Sequence, residues 1–368
     1  MAGLYLDFLR YSIHVEDFDD SHFLDMDWRG LYEFGKRQSI LGILFVGIEK
    51  MKKTDCIDLD ILLRFIGAAQ RIKTRNKLIN TEVVRLCEHL ESAGFRVSVL
   101  KGQGVAMMYD KPFLRTPGDV DVWTVEDDLQ PYSYNLDKSR DHVINYVRRE
   151  FPKEKICYHH MGFHIFTRVK VELHFTPTWM GCYWHNRELQ RWMVENWGSQ
   201  SENRVMLPEA GEVAVPTKDF NVIYLLIHIF RHVLSEGVGI RQLMDYYYLL
   251  MNLDIRSGEY TELLHRFGLV KIAGAVMWVL GDVFMLPRER MIAVPNEKRG
   301  RRLLNVVING GNFGLYDKGI DRSQGRSMRY FLDKFVYRGR LLADYPNEVA
   351  WSYLFSSWQK LWKLWKGY

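Results

Sequence analysis

The sequence predicts an α+β fold, with a small mixed sheet in the middle of the chain, helices before it and a helical domain after it. Three observations carry the prediction. Apolar and polar residues alternate over 95–100, 119–123 and 169–175, the period of a half-buried strand. Apolar residues recur at helical spacing through most of the first 95 residues. From Pro216 the spacing turns helical again and remains so to the end. The organisation this implies is an N-terminal helical region over 1–79, a mixed-sheet unit over 80–215 and a C-terminal helical domain over 216–368.

Taken in order, the run 28–49 reads as helical, as do 61–78 and 82–93, the last closed by Gly94, a good helix stop. Residues 95–100 form a strand that breaks at Lys101-Gly102. A short helix-like run and a proline-containing loop with Arg115 lead into a second strand, 119–123. On that strand Val120 and Val122 face a core, while Asp119 and Asp121 share the opposite face. An acidic loop, Glu126-Asp127-Asp128, precedes a helix over 136–150. Two strand-like runs, 162–166 and 169–175, are expected to pair through a tight Thr167-Arg168 turn, although the favoured Asn-Gly is absent. Val169, Val171, Leu173 and Phe175 face one way, and Lys170, Glu172 and His174 the other. Helices are expected on one side of the resulting sheet. Thr217 is placed to cap a helix reaching about residue 234, Gly237-Val-Gly239 breaks it, and a further helix starts at Ile240. More helices are expected at 258–285, 298–308, 326–343 and 347–366, with a loop at 310–314.

Composition sets limits. The chain has 368 residues, 47% of them hydrophobic, and a net charge of +5, too small by itself to argue for nucleic acid. Neutralising a long phosphate track needs clustered Lys and Arg, so no extended nucleic-acid binding is expected. Cys56, Cys87, Cys157 and Cys182 form no Cys-x-x-Cys pair, which fits reduced thiols in a cytoplasmic protein. No basic-then-apolar leader is evident at the N-terminus, and the longest apolar run, 220–230, is far short of the roughly 20 residues that span a bilayer.

Two carboxylates on one strand edge repel unless a cation lies between them. Asp119-x-Asp121 alone is as well explained by a solvated edge. Glu172, on a later strand with matching alternation, supplies a third carboxylate, and three carboxylates on adjacent strands suit a two-metal phosphoryl or nucleotidyl transfer. Arg115 reads either as a phosphate clamp or as the partner of a nearby acid. His174 could orient a carboxylate, contact substrate or be structural. His159, His160 and His164 do not obviously converge on a metal. His228 and His232 share a helix face but lack the Glu of a His-Glu-x-x-His zinc motif. Arg241 and Asp245 are spaced to pair with each other, on a polar face turned either to a cleft or into a buried network. The tail carries Leu354, Phe355, Trp358, Leu361, Trp362 and Trp365 at helical spacing, with Lys360, Lys363 and Lys366 largely opposite. It either docks on the protein's own core or meets a partner or membrane surface.

Together these motifs give the chain a resemblance to nucleotidyltransferases of the DNA polymerase β type. It most resembles the bacterial group called uncharacterised nucleotidyltransferases. The resemblance rests on Leu100-Lys101-Gly102, Tyr109, Arg115, Asp119-Val120-Asp121 and Glu172-Leu173-His174, and continues through His228, His232, Arg241, Asp245 and the Gly310-Gly-Asn-Phe-Gly314 loop. It spans about residues 28–315. One departure stands out: the wider superfamily has Gly-Ser or Gly-Gly at the first turn, and here the pair is Gly102-Gln103. The resemblance implies an enzyme that moves an NMP from an NTP, ATP included, to an acceptor hydroxyl on a small molecule, a protein or RNA. It implies Mg²⁺ or Mn²⁺ on Asp119, Asp121 and Glu172, with Glu172 as general base. It implies nucleotide contacts from Lys101, Gly102, Gln103, Arg115, His174, Arg241 and Asp245. Two rival readings are a toxin of a toxin–antitoxin pair using the same chemistry, and a nucleotide-binding protein that keeps the fold without transfer.

Overall fold

A computed structural model of the protein describes residues 2–14, 18–127, 136–256, 258–317, 319 and 328–366. Asp128 and residues 326 and 327 of the expected last-but-one helix lie outside the described residues, as do the side chains of Lys360 and Lys366.

In chain order the helices α1 (Ala2–Ser12), α2 (Trp28–Gln38), α3 (Leu41–Lys50) and α4 (Leu59–Ser92) precede β1 (Phe95–Leu100). Then come α5 (Gly102–Ala106), β2 (Val120–Glu126), α6 (Leu136–Glu150), β3 (His160–Gly162) and β4 (Val171–His174). Next are α7 (Tyr183–Glu202) and a small hairpin, β5 (Arg204–Leu207) and β6 (Gly211–Ala214). The chain ends in helices: α8 (Lys218–Ser235), α9 (Ile240–Met251), α10 (Thr261–Arg266), α11 (Val270–Phe284), α12 (Glu297–Gly310), α13 (Met328–Arg340) and α14 (Pro346–Lys366).

The main sheet has the order β1-β2-β4-β3, with β2 and β4 parallel and the outer pairs antiparallel. One face carries Val97, Val99, Val120, Val122, Met161, Val171 and Leu173 into a core shared with Val83, Leu86 and Leu90 of α4 and Val143 and Val147 of α6. The opposite face is also covered, in contrast to the one-sided arrangement expected. Trp123 packs against Trp197 of α7 at 4.4 Å, with the rings tilted, and stacks on Phe220 of α8 at 5.8 Å, which joins the sheet to a second, larger core built by the flanking helices. Burial of an aromatic of this size strongly favours the closed arrangement.

Several boundaries differ from the sequence reading. The runs 61–78 and 82–93 belong to one 34-residue helix, α4, about 50 Å long by its rise. No Gly or Pro interrupts it there, and it serves both cores, with Ile61 and Phe65 in one and Ile79 and Val83 in the other. The run 28–49 instead divides at Ser39, which adopts a left-handed backbone, φ 57°. The run 258–285 divides at Gly268, φ +65°. The expected 167–168 turn is replaced by a longer connection between β3 and β4, because β3 starts two residues earlier than expected and pairs His160 with His174. Helix α7 and the β5–β6 hairpin had no counterpart in the sequence reading. The cap of α8 forms as expected, with Thr217 accepting from the Phe220 N–H at 3.3 Å.

Candidate active site

The parallel register of β2 and β4 places Asp121 directly beside Glu172, and Trp123 beside His174. Asp119 sits one residue before β2. Period-two alternation then puts all three acids on the sheet edge that opens into a cavity of about 710 Å³. Asp121 is buried. Its Oδ1 accepts from His174 Nε2 at 2.9 Å, and its Oδ2 lies 3.0 Å from the Lys101 ammonium. Lys170 donates to both Asp119 Oδ2 and Glu172 Oε1, each at 2.6 Å. Glu172 Oε2 is also 3.5 Å from His160 Nε2.

Burial alone would raise the pKa of Asp121; Lys101 and the His174 hydrogen bond outweigh it and hold the carboxylate well below its ordinary range. Burial likewise opposes the charge on Glu172, and His160 and Lys170 bring its pKa down. Desolvation works against the Lys170 ammonium, yet its two carboxylate partners raise its pKa. Asp121 and Glu172 are therefore held ionised, with the Lys101 and Lys170 ammoniums against the carboxylate edge.

These donors fit a divalent metal ion. Asp121, Glu172 and His174 each offer a ligand atom, all within 4.8 Å of one another. Two carboxylates and an imidazole are ligand types of a divalent metal site. His174 Nδ1 is buried without a hydrogen-bond partner, so the ring has one committed nitrogen and one spare.

The first turn is strained. Lys101 has φ 54° and ψ −134°, and Gly102 has φ +35°. A non-glycine residue held this way costs about 1–3 kcal/mol and recurs at functional sites. Here it turns the Lys101 ammonium onto Asp121. Gln103, expected at the nucleotide, points elsewhere. Its side chain is buried and donates to Asn80 Oδ1 of α4 and, at 3.4 Å, to Asn76 Oδ1. It contributes nothing to the cavity wall, because its amide is long enough to reach the buried asparagines of α4.

Arg115 lines the cavity with its fork already engaged. Nε and Nη2 donate to the two oxygens of Asp245 at 2.6 and 2.7 Å, and the Tyr109 hydroxyl donates to the same carboxylate at 2.6 Å. Only Nη1 is left, buried and unpartnered. The salt-bridge alternative thus accounts for most of this side chain. Asp245 takes Arg115 as its partner, and Arg241 instead donates from Nη1 to the Thr116 carbonyl at 3.2 Å.

His159 and His160 join the site, hydrogen-bonded to each other at 3.0 Å, whereas His164 leaves it to pair with Glu154. His159, His160 and His174 form a second cluster of possible ligand atoms. Burial lowers the pKa of His160 to about 4, with the nearby His174 adding to the effect. His228 and His232 line the cavity from α8, kept neutral mainly by burial and then by Lys101. Phe313 of the glycine loop closes that side, 5.0 Å from His232. Lys170, His160 and Arg231 are cavity residues to which the sequence reading gave no role. Lys170 was legible, since it shares its strand face with Glu172. His160 needed the register of β3, and Arg231 the packing of α8.

A family model described as uncharacterised nucleotidyltransferase matches residues 25–285. The chain belongs to that family. No curated protein sequence matches it. Among solved structures, the chain is similar to the crystal structure of an antigenic nucleotidyltransferase-like protein from Paracoccidioides brasiliensis. The two share 10% identity over 59% of this chain and 94% of the other, with a TM-score of 0.33.

Proposed function

We propose that the protein transfers a nucleoside monophosphate from an NTP to an acceptor hydroxyl, with Mg²⁺ or Mn²⁺ held by Asp119, Asp121 and Glu172. The observation that carries this reading is the convergence of those three carboxylates at one cavity, in a chain of the nucleotidyltransferase family. The cavity volume, about 710 Å³, is in the range that encloses a nucleotide-sized ligand. When bound, the metal supplies charge neutralisation and alignment at the triphosphate.

The protein's own groups do the remainder. His174 orients Asp121 through its Nε2 hydrogen bond. Lys101 and Lys170 screen the carboxylates, and Lys170, half exposed, would trade a carboxylate for a phosphate oxygen when the metal binds. Arg115, fixed by Asp245, offers Nη1. Glu172 is held ionised below its usual range, which suits a ligand better than a proton acceptor. The acceptor would be a small molecule, a protein hydroxyl or an RNA end. A cytoplasmic location belongs to the same reading and is supported by four cysteines that form no disulfide. Among the described residues, no helix is long and apolar enough to cross a membrane. Leu361, Leu364 and Trp365 on the outer side of α14 are where a partner or membrane surface would be met.

A second reading, nucleotide binding without transfer, is favoured by one observation: both ammoniums already occupy the carboxylate edge. Incubation with each α-labelled NTP, Mg²⁺ or Mn²⁺ and cell extract separates the two. Label on protein, RNA or a small molecule that disappears with Asp119→Asn/Asp121→Asn supports transfer. Bound nucleotide with no transferred label supports the second reading.

A further inference from the structure

Four acids of the cleft have their cations: Lys101 serves Asp121, Lys170 bridges Asp119 and Glu172, and Arg115 holds Asp245; a fifth, Glu236, half exposed at the rim, has only the neutral His232 at 3.9 Å. Two guanidiniums lining the same cavity are left over. Among the described residues Arg231 of α8 has no carboxylate partner. Its Nη1 donates to Thr178 Oγ1 at 3.3 Å, and its guanidinium lies 4.4 Å from the centroid of the Trp179 ring. Glu236 and Glu348 act on it only from beyond ion-pair distance, and both Glu348 oxygens already accept from the Gly181 and Cys182 N–H groups. Arg241 of α9 is buried, and its Nε has no partner. Burial brings the Arg231 pKa down to about 10, which leaves it charged at neutral pH. A desolvated cation without a counter-charge is costly, and an anion in the cleft removes that cost.

We propose that Arg231, seated on Trp179, anchors a phosphate group of the substrate, with Arg241 on the neighbouring helix as a second donor. The inference rests on the nucleotidyl-transfer reading and assigns the phosphate contact to the helical half of the cleft. The phosphate belongs either to the triphosphate tail or to a phosphate-bearing acceptor; the chemistry is the same, a planar fork on phosphate oxygens. The platform is held from a distance. Trp179 also stacks on Phe355 of α14, at 4.1 Å and 25°, and Glu348 of α14 pins the backbone at Gly181 and Cys182. Helix α14 lies outside the matched residues 25–285. Phe355 is thus a positioning residue for the anchor.

Isothermal titration of the full-length protein with tripolyphosphate in Mg²⁺ tests the anchor. A second titration adds inorganic phosphate to protein saturated with a non-hydrolysable NTP. Arg231→Gln should weaken one of the two by about tenfold or more, the scale of hydrogen bonds to a charged group. Loss of tripolyphosphate binding assigns the triphosphate tail, and loss of phosphate binding assigns the acceptor. Phe355→Ala should weaken the same probe severalfold at an unchanged melting temperature, and Phe355→Tyr should restore it. Should Arg231→Gln fail to fold, Arg231→Lys replaces it, with a smaller loss expected because the fork is gone. Affinities for both probes equal to wild type in the Arg231 variant, or no binding of either probe to wild type, overturn the anchor. Transfer that depends on Asp121 alongside an Arg231-independent affinity overturns the anchor alone. Arg231-dependent binding with no transfer by wild type overturns the functional reading and keeps the anchor.

Discussion

Asp245 accepts three hydrogen bonds, two from Arg115 and one from Tyr109, and is buried at the cavity wall. Burial opposes its charge, and Arg115 more than compensates, so its pKa is lowered. Asp245→Asn leaves a buried guanidinium without a counter-charge. Loss of about 3–5 kcal/mol is expected in urea denaturation; a loss below about 1 kcal/mol would mean Arg115 is wetter than it looks. The cleft histidines give a separate pH signature. Burial, then Lys101, brings His232 from 6.5 down to about 3. Between those values the unfolded chain binds a proton that the folded chain refuses, so stability is full above about 6.5 and falls as pH drops towards 3. His232→Asn should flatten that part of a stability–pH curve measured by denaturant titration, and an unchanged slope would contradict the burial of this ring.

At the scale of elements, the strands were legible where one face is buried and the other carries chemistry. Val120 and Val122 alternate with Asp121, and Val171 and Leu173 with Glu172, so period two gave the face of each acid, and the parallel register of β2 and β4 sets them side by side. Where both faces are buried or local signals are weak, sequence gave less. Nothing near residues 78–82 marks α4 as continuous, because its continuity comes from spanning two cores. The register that brings His160 to His174 depends on where β3 pairs, which a three-residue strand does not announce. The departure at Gln103 was visible, but its meaning required α4. The side chain ties the strained turn to Asn80 and Asn76. Gln103→Ser, which restores the commoner turn residue, should therefore cost about 1–3 kcal/mol in denaturant titration by leaving the Asn80 carbonyl unpaired. It should leave tripolyphosphate affinity unchanged. A variant as stable as wild type would show that the turn does not lean on α4.

At the scale of the molecule, the cavity is walled by residues from both cores. Asp121, Glu172 and His174 come from the sheet, and His228, Arg231 and Arg241 from α8 and α9. The helical wall was half legible: the His-x-x-x-His and Arg-x-x-x-Asp spacings pointed to polar helix faces, but which partner each charge takes is a tertiary matter. A Mg²⁺–nucleotide bound at both walls stabilises the whole chain by mass action, about 2.7 kcal/mol at a hundredfold excess over Kd. A rise in Tm of a few degrees is expected, with none in Asp119→Asn/Asp121→Asn; an equal rise in that variant would place the nucleotide away from the carboxylates.

A working metal centre for nucleotidyl transfer at Asp119, Asp121 and Glu172 has a direct signature. Transfer of label from an α-labelled NTP to an acceptor in cell extract, with Mg²⁺ or Mn²⁺, measures it most directly. Label is expected on an acceptor with wild type, with a loss of about a hundredfold or more in Asp119→Asn/Asp121→Asn. Undiminished label with that variant, or none with wild type under any NTP and either metal, would contradict it.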